Sequence, residues 1–237
     1  SLINKSNKLC KKTIVSIFIN PKQFNNKKDL KSYPRNLKKD LKILKKSKKV
    51  DFVYLPKFND IYKDKKKSKI KLLKKDKILC AKFRKGHFEG VLDVMNRLTK
   101  LIHPNKIFMG EKDFQQYYLV KKYIEKKNKC RIILCKTIRN KNGLALSSRI
   151  LLLNKKQIIK AEKLTRILRN HKKTIKINKN TNKNLLRKKI ELNKLLKLKI
   201  EYLEIRNIKN LKYSTTGKNS KIFIFFYINK IRLIDNF

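Results

Sequence analysis

The seven residues at 110–116, Gly-Glu-Lys-Asp-Phe-Gln-Gln, have the composition of a turn that binds phosphate. An apolar run at 107–109 precedes them and a helical pattern follows, so we predict a turn between a strand and a helix. The amino end of a helix presents free N–H groups to an anion. Gly110 lets a nucleotide come close, and Lys112 adds a mobile positive charge. The same residues also suit a plain polar turn capped by Asp113, so both interpretations stay open here.

A second polar group lies at 142–149, where an Asn-Gly turn leads to Ser147, Ser148 and Arg149. Two hydroxyls and a guanidinium in succession can surround a triphosphate with neutral donors and one bidentate cation. On residue types alone, each of the two groups is a weak indication of a nucleotide site. The patterns GxGxxG and GxxxxGK[ST] are absent from the sequence, so neither dinucleotide binding nor a P-loop is indicated.

The elements that must position these groups alternate between strand and helix. Apolar runs predict strands at 13–19, 50–55, 107–110 and 131–135, and apolar spacing predicts helices at 1–9, 37–44, 91–102 and 114–126. This order indicates a parallel, right-handed sheet with helices on both faces. The run at 13–19 is continuous and β-branched, which is typical of a strand buried on both faces. The Lys-rich stretch at 59–77 is interpreted as solvated surface.

The character of the chain changes after residue 151. Helical patterns at 158–168 and 185–198 precede strand patterns at 200–205, 222–227 and 231–234. This order predicts a small α+β domain, and it contains no recognisable catalytic grouping.

The net charge is extreme for a globular chain. The 237 residues include 67 Lys and Arg against 16 Asp and Glu, a formal net charge of +51. Such a balance is usual in proteins that bind nucleic acid. The Lys residues are spread along the whole chain, however, and Gly and Pro are scarce, as A+T-rich codons would produce. We therefore favour codon composition as the cause, expect nucleic acid to bind only non-specifically, and expect stability to rise with ionic strength.

Cysteine usage and hydropathy disfavour several other classes. The four cysteines, at positions 10, 80, 130 and 135, form no CxxC pair. The sequence has only three histidines that could join them as metal ligands. Neither a disulfide framework nor a zinc site is therefore predicted. No apolar run reaches the roughly 18 residues of a membrane helix, and no signal peptide is recognised. These features predict buried thiols, a cytoplasmic location and no membrane partner.

Three further motifs occur in a fixed order with the two polar groups. They are Ser-Ile-Phe-Ile-Asn-Pro-Lys-Gln-Phe at 16–24, Tyr-Pro-Arg at 33–35 and Arg-Lys-Gly-His-Phe-Glu-Gly-Val at 84–91. With them, the chain closely resembles the pantothenate synthetase (pantoate–β-alanine ligase) family. The resemblance is highly specific from residue 1 to about residue 149, and beyond that it thins to short stretches at 202–206 and 232–236.

The resemblance implies an α/β fold, a Rossmann-like parallel sheet of the HIGH-type nucleotidyltransferase superfamily, with a smaller C-terminal α+β domain. Residues 1–146 would form the domain that binds nucleotide and pantoate, and residues 147–237 would form a lid. The family's His-x-Gly-His motif, which carries its catalytic histidines, would lie before Ser1. We therefore expect the sequence to lack the first strand and that motif.

The resemblance also implies a reaction and assigns residues to it. ATP would convert the carboxylate of pantoate into an adenylate, β-alanine would then form the amide, and pyrophosphate and AMP would be released. Lys112 would be the catalytic cation on the phosphates, and Asp113 would face the ribose. Gln23 would bind pantoate and β-alanine, and Gln116 would bind pantoate. The implied ATP site comprises Gly110, Glu111, Lys112, Asp113, Ile138, Leu146, Ser147, Ser148 and Arg149.

The resemblance further implies Mg²⁺ carried by the phosphates, with no metal site on the protein, and a homodimer. Asn142 stands where the family usually has Asp, and Leu146 stands where methionine is also common. Both exchanges are conservative for a turn and for an apolar contact, respectively.

Several alternatives stay open. Gln23 on spacing alone fits a loop residue that bonds to the backbone, and Tyr33 and Arg35 either brace their loop or touch substrate. His87 fits a hydrogen-bonded loop position better than an acid–base catalyst. For the whole chain, the alternatives are a decayed, non-catalytic remnant of the same fold and a polybasic nucleic-acid binder. The codons upstream of Ser1 would separate the enzyme from the remnant, and a steep salt dependence of RNA binding would indicate the nucleic-acid binder.

Overall fold

The computed structural model describes residues 1–24, 27–64, 70–175, 178 and 180–237. Contacts divide the chain into two compact units, Ser1–Lys136 and Thr137–Phe237. This division falls before residues 137–146, whereas the boundary predicted from the sequence falls after them. The physical reason is an ion pair that joins Arg139 to Asp235 near the end of the chain.

The first unit alternates between helices and short strands. Its helices are α1 (Leu2–Leu9), α2 (Lys27–Lys31), α3 (Leu37–Ser47), α4 (Phe58–Ile61), α5 (Cys80–Phe83), α6 (His87–Ile102) and α7 (Phe114–Val120). Its strands are β1 (Ile14–Ser16), β2 (Phe52–Tyr54), β3 (Lys106–Gly110) and β4 (Arg131–Cys135). Single 3₁₀ turns cover Pro21–Gln23, Lys74–Asp76 and Glu111–Asp113. The elements follow the order that the apolar pattern predicts, with further short helices, α2, α4 and α5, that the pattern did not predict.

The four strands form two parallel pairs. β1 lies beside β2, with Ile14 opposite Phe52, and β3 lies beside β4 along its whole length. The parallel pairing that we predicted is therefore confirmed. The predicted burial of residues 13–19 on both faces is wrong, because Ile14 is 41% exposed and its partner Phe52 is 60% exposed. Among the described strands, β1 has only β2 as a neighbour, and a continuous apolar run does not by itself specify how many neighbours a strand has.

The helix α6 carries much of the core of the first unit. Its buried residues include Phe88, Val91 and Leu92, which follow the helical period seen in the sequence. The helical period of the apolar residues at 91–102 would also place Leu101 on the buried face, but Leu101 is 54% exposed. The helix ends at Ile102, and its C-cap residue His103 has a left-handed φ of 50°. Thr99 in the same last turn is still buried.

The helix α7 continues into a wider turn, the π-helical segment Lys121–Glu125. There Lys122 Nζ donates to the Asp76 carboxylate at 2.6 and 2.7 Å, and the Tyr123 hydroxyl donates to it at 2.7 Å. Burial, followed by the bond to Asp76, raises the pKa of Tyr123 to about 12. Asp76 is 5% exposed, so the prediction of a wholly solvated stretch at 59–77 is wrong at this point. Residues 65–69 of the stretch 59–77 lie outside the described part of the chain.

The second unit has the predicted α+β composition, with longer elements than the pattern indicated. Its helices are α8 (Lys155–Thr174) and α9 (Thr181–Leu196), and its strands are β5 (Lys199–Asn207), β6 (Ser220–Ile228) and β7 (Ile231–Asn236). The strands form an antiparallel sheet in the order β5-β6-β7. Leu164 of α8, Leu192 of α9 and Ile222 of β6 are each at most 1% exposed and belong to one apolar cluster. The sheet is therefore covered by helices on its buried side.

No described helix is long and apolar enough to cross a membrane. The four cysteines are not joined by disulfides; Cys80, Cys130 and Cys135 are buried as predicted, whereas Cys10 is half-buried. Burial raises the pKa of Cys130 and of Cys135. These two thiols are therefore kept protonated, which makes them poor nucleophiles.

Candidate active site

The turn at 110–113 joins β3 to α7, as the sequence predicts. Lys112 Nζ lies 3.6 Å from a carboxylate oxygen of Asp113, and the side chains are 18% and 48% exposed. Asp113 occupies the N-cap position of α7, yet its carboxylate makes no capping hydrogen bond within the described start of that helix. The plain interpretation of Asp113 as a helix cap therefore loses its main physical basis. A carboxylate next to a cation, at the amino end of a helix, remains accessible to a ligand.

Gly110 is not needed for the backbone conformation. Its φ is −75°, in the region open to every residue, and a Cβ built there would meet no atom within 4 Å. Open space therefore borders the turn on the side of Gly110. This space is what the close approach of a nucleotide would require, and the approach itself stays a prediction.

The two adjacent glutamines of the turn have different environments. Gln115 is 6% exposed; its Nε2 donates to the carbonyl of Ile78 at 2.6 Å, and its Oε1 accepts from the amide of Cys80 at 3.0 Å. Between these two lies Leu79, whose φ of 49° and ψ of −128° are strained for a branched residue. Gln115 thus holds a strained segment in place, whereas Gln116 is only half-buried. Nothing in the Gln-Gln pair alone indicated which of the two was structural.

The loop that carries Gln23 is fixed at its start by Asn20, which sequence reasoning did not single out. Asn20 is 1% exposed; its Nδ2 donates to the carbonyl of Gly90 at 3.1 Å, and its Oδ1 accepts from the Tyr62 hydroxyl at 3.1 Å. Burial, and then the nearby Asp93 carboxylate, raises the pKa of Tyr62 to about 12. The phenol therefore remains a donor at any physiological pH. The available sequence signal was the Asn-Pro pair, which marks the loop start but not these contacts.

The same loop is held at its other end by Arg84, just before α6, and by His87, the first residue of α6. His87 Nδ1 lies 2.6 Å from the carbonyl oxygen of Gln23, and Arg84 Nη1 lies 2.5 Å from His87 Nε2. His87 is 6% exposed and hydrogen-bonded, as expected, but it lies in the first turn of α6 and not in a loop. Further along, Arg35 donates to the carbonyl of Leu30 at 3.0 Å, which favours bracing over substrate contact for this residue.

In the second unit, the predicted nucleotide contacts lie on and beside a tight hairpin. Arg139 and Ala145 form an antiparallel bridge, and Leu146 N donates to the Ile138 carbonyl at 2.9 Å. The side chains of Ile138 and Leu146 are each 52% exposed. Two neighbouring apolar side chains on the surface form a suitable contact for a nucleotide base.

Ser147, Ser148 and Arg149 follow the hairpin directly. Ser147 is extended, with φ −157°, and the 3₁₀ turn Ser148–Leu152 begins after it. Ser148 is exposed, while Ser147 and Arg149 are half-buried. The three polar residues therefore lie next to each other directly after the hairpin, and each has a side chain that is at least partly exposed.

The hairpin is anchored by a pair of residues far apart in the sequence. Arg139 Nη1 and Nη2 donate to the two carboxylate oxygens of Asp235 at 2.7 and 2.9 Å, and Asp235 is 5% exposed. Nη1 also donates to the carbonyl of Gly143 at 2.9 Å, and Nη2 donates to that of Asn236 at 2.9 Å. A bidentate, buried pair of this kind fixes orientation as well as position.

The tip of the hairpin is organised by two asparagines. The Asn140 side chain accepts from the amides of Asn142 and Leu144 at 3.1 and 2.9 Å. The side-chain amides of Asn140 and Asn142 donate to the two carboxylate oxygens of Glu162 at 2.6 and 2.8 Å. A carboxylate at position 142 has no proton to donate to Glu162. The presence of Asn instead of Asp therefore has a consequence beyond the turn conformation that we expected.

The structure groups the predicted residues into two sets. Gln23, Gln116 and the turn 110–113 belong to the first unit, whereas Ile138 and residues 146–149 belong to the second. No group of three or more His, Cys, Asp or Glu suited to a metal ion occurs among the residues described.

The family comparison covers the whole chain. The family model for pantoate–β-alanine ligase matches residues 1–237. The pantothenate synthetase of Clostridium botulinum (strain ATCC 19397 / Type A) is 38% identical over 242 residues, which cover 100% of this chain and 85% of the relative. That of Azobacteroides pseudotrichonymphae genomovar. CFP2 is 36% identical over 231 residues, covering 94% of this chain and 81% of the relative.

Solved structures agree with the sequence comparison. The pantoate–β-alanine ligase of Francisella tularensis, solved in complex with β,γ-ATP and β-alanine, superimposes with a TM-score of 0.84 and 36% identity. The match covers 100% of this chain and 82% of that one. The pantothenate synthetase of Thermus thermophilus gives a TM-score of 0.87 at 25% identity, with 100% and 86% coverage. With the fold, the motifs and the family match over residues 1–237 in agreement, this chain belongs to the pantoate–β-alanine ligase family.

Proposed function

We propose that this chain joins pantoate to β-alanine in two steps at a site that includes Gln23, Lys112 and Gln116. In the first step, a carboxylate oxygen of pantoate attacks the α-phosphorus of ATP, and the bond to pyrophosphate breaks. In the second step, the amine of β-alanine attacks the acyl carbon, an amide forms, and AMP leaves. The family membership supports the overall reaction, an AMP-forming ligation that yields pantothenate.

Lys112 is the residue to which we assign charge stabilisation in the first step. Negative charge accumulates on the departing phosphates, and a positioned cation in a water-poor site stabilises it. The Lys112 side chain is 18% exposed and lies beside the amino end of α7. Partial burial strengthens its interaction with a phosphate, because less water screens the charge.

Gln23 and Gln116 are assigned to the acyl substrates. An amide side chain both donates and accepts, so it can bind a hydroxyl or a carboxylate without adding charge. Both glutamines are half-buried, and the loop of Gln23 is fixed at both ends. Fixed positions of this kind hold the reacting atoms in line, which is the principal requirement of a reaction without a covalent enzyme intermediate.

The second unit is assigned to ATP. Ser147, Ser148 and Arg149 provide donors for the phosphates, and the exposed Ile138 and Leu146 provide an apolar surface for the base. In the first unit, Gly110, Glu111 and Asp113 are assigned to ATP as well, with Asp113 on the ribose. Mg²⁺ arrives with ATP and is held by its phosphates and water, which suits a metal that keeps most of its water ligands.

The single observation that carries this proposal is the full-length family match of a chain that retains Gln23, Lys112 and the Ser-Ser-Arg group. The remaining inferences are a homodimer and a cytoplasmic location. Sedimentation equilibrium tests the first inference, and fractionation of the source cells tests the second.

The deciding experiment measures AMP release by the protein expressed from its complete reading frame. We expect AMP to appear only when ATP, pantoate and β-alanine are all present, in equal amount to pantothenate. Pyrophosphate release in a mixture that contains ATP and pantoate but no β-alanine would isolate the first step. Absence of both products would instead identify the chain as a non-catalytic member of the fold.

A further inference from the structure

We propose that His87, oriented by Arg84, is a positioning residue that fixes the main chain of Gln23 for substrate binding. The inference rests on the proposed function, because it takes Gln23 to be a substrate ligand. It assigns no contact between His87 and the substrate.

The contact between His87 and Gln23 spans 64 residues of sequence and is made by ring and main-chain atoms only. The Nδ1 atom of His87 lies 2.6 Å from the carbonyl oxygen of Gln23. Arg84 Nη2 donates to the same oxygen at 3.4 Å, and Arg84 Nη1 lies 2.5 Å from His87 Nε2. The Gln23 carbonyl is therefore held by two side chains that also bind each other.

These partners determine the protonation state of the ring. A carbonyl oxygen only accepts hydrogen bonds, so Nδ1 of His87 must carry the proton that is donated to Gln23. A guanidinium only donates, so Nε2 must accept from Arg84. The imidazole is thus neutral, with its proton on Nδ1. Because His87 is 6% exposed, water competes little for either nitrogen.

The Gln23 carbonyl fixes the backbone from which the side chain of Gln23 projects. Gln23 is the last residue of the 3₁₀ turn Pro21–Gln23, and the next amide, Phe24 N, donates back to the Pro21 carbonyl at 3.1 Å. The carbonyl of Gln23 and the amide of Phe24 belong to one peptide plane. Fixing the oxygen therefore fixes the plane, and with it the rotation of the backbone at Gln23.

A close approach one turn along α6 supports the same contact. A Cβ at Gly90 would overlap the Lys22 carbonyl oxygen and would lie 3.1 Å from the Cα of Gln23. The loop therefore rests directly on the helix backbone at Gly90, and His87 on the same helix binds its end. Asn20 fixes the start of the loop through Gly90 and Tyr62, and the His87 contact holds its end at Gln23.

Three substitutions at one position separate positioning from simple packing. In His87→Asn, the side-chain amide can place an N–H near the position of Nδ1, so the bond to Gln23 is kept. In His87→Gln, the longer amide keeps a partner for Arg84 but has no donor at the Nδ1 position. His87→Ala loses both contacts. His103→Asn is the matched control, because it changes the histidine at the other end of α6, where the left-handed φ of 50° suits Asn.

We expect kcat/KM for pantoate to fall at least tenfold in His87→Ala and His87→Gln, since one tenfold change corresponds to the loss of about one buried hydrogen bond. His87→Asn should stay within about threefold of the wild type, as should His103→Asn. The KM for ATP should change less than about threefold in all four variants. Equal losses for His87→Asn and His87→Ala, at equal thermal stability, would overturn the positioning role.

A second measurement does not depend on the reaction. Hydrogen exchange at the amides of Gln23 and Phe24 should accelerate about tenfold in His87→Ala and His87→Gln, and remain close to the wild type in His87→Asn. Unchanged exchange in His87→Ala would contradict the inference. If the wild type releases no AMP, the proposed function fails, while the exchange data still decide whether His87 holds this loop.

Discussion

The two turns assigned to ATP are built by different means. The turn at 110–113 takes its shape from the elements around it, because β3 pairs with β4 up to Gly110 and α7 starts at Phe114. The hairpin at 139–145 takes its shape from polar side chains, above all the pair of Arg139 with Asp235. In the first turn, the side chains assigned to ATP can therefore be substituted without removing the contacts that shape the turn. In the second, the scaffold itself consists of polar side chains and is more sensitive to substitution.

The largest expected effect is on the anchor of the hairpin. Asp235→Ala leaves the Arg139 guanidinium without its buried partner, and we expect the free energy of unfolding to fall by about 3 kcal/mol. Glu191→Gln is the control, because it breaks an exposed pair with Lys188 and should cost less than about 0.5 kcal/mol. Urea denaturation measures both. Equal losses in the two variants would show that the hairpin does not depend on this pair.

The next effect is on catalysis in the first turn. Lys112→Ala should lower kcat/KM by a factor equivalent to about 2 kcal/mol or more, since a group that stabilises transition-state charge is removed. Its urea midpoint should stay close to that of the wild type. Lys121→Ala removes an exposed charge at the far end of α7 and serves as the control for the loss of charge. An unchanged kcat/KM in Lys112→Ala would remove this residue from the mechanism.

The third test compares one glycine from each turn, Gly143 of the hairpin and Gly110 of the turn at 110–113. Gly143 has a φ of 85°, and a Cβ there would lie 2.5 Å from Nη1 of Arg169. Gly143→Ala should therefore cost about 1 kcal/mol of stability or more. Gly110→Ala should leave stability unchanged, because its φ is ordinary and nothing lies within 4 Å. If nucleotide approaches Gly110, that variant should raise the KM for ATP. A larger loss of stability in Gly110→Ala than in Gly143→Ala would contradict the proposed difference between the two turns.

The smallest expected effect concerns the tip of the hairpin. Asn142→Asp replaces a donor to Glu162 with a like charge, and it should cost about 1 kcal/mol at low salt. Asn142→Ala removes the bond without adding charge and should cost less. The difference between the two variants should shrink as ionic strength rises. A difference that is independent of salt would exclude charge repulsion as its cause.

Local patterns predicted the elements well and the contacts between them poorly. The strands and the longer helices followed from apolar spacing, which is a property of neighbouring residues, whereas the short helices α2, α4 and α5 were not predicted. The anchor between Arg139 and Asp235 joins residues 96 positions apart, and no local pattern encodes it. The buried Asp76 looked like part of a charged surface because its partners, Lys122 and Tyr123, come much later in the chain. Motif resemblance identified Gln23, but only the structure revealed the roles of Asn20 and His87 in holding its loop.

The exposed apolar residues of the short β1–β2 pair give the protein a second response to salt. Ile14, Phe52 and Val53 are 41%, 60% and 38% exposed, and in dilute buffer the +51 charge keeps neighbouring molecules apart. Added salt weakens that repulsion between molecules just as it does within one molecule, so the strand edges of different molecules can meet. Solubility should therefore fall under the same conditions in which we expect each folded molecule to gain stability.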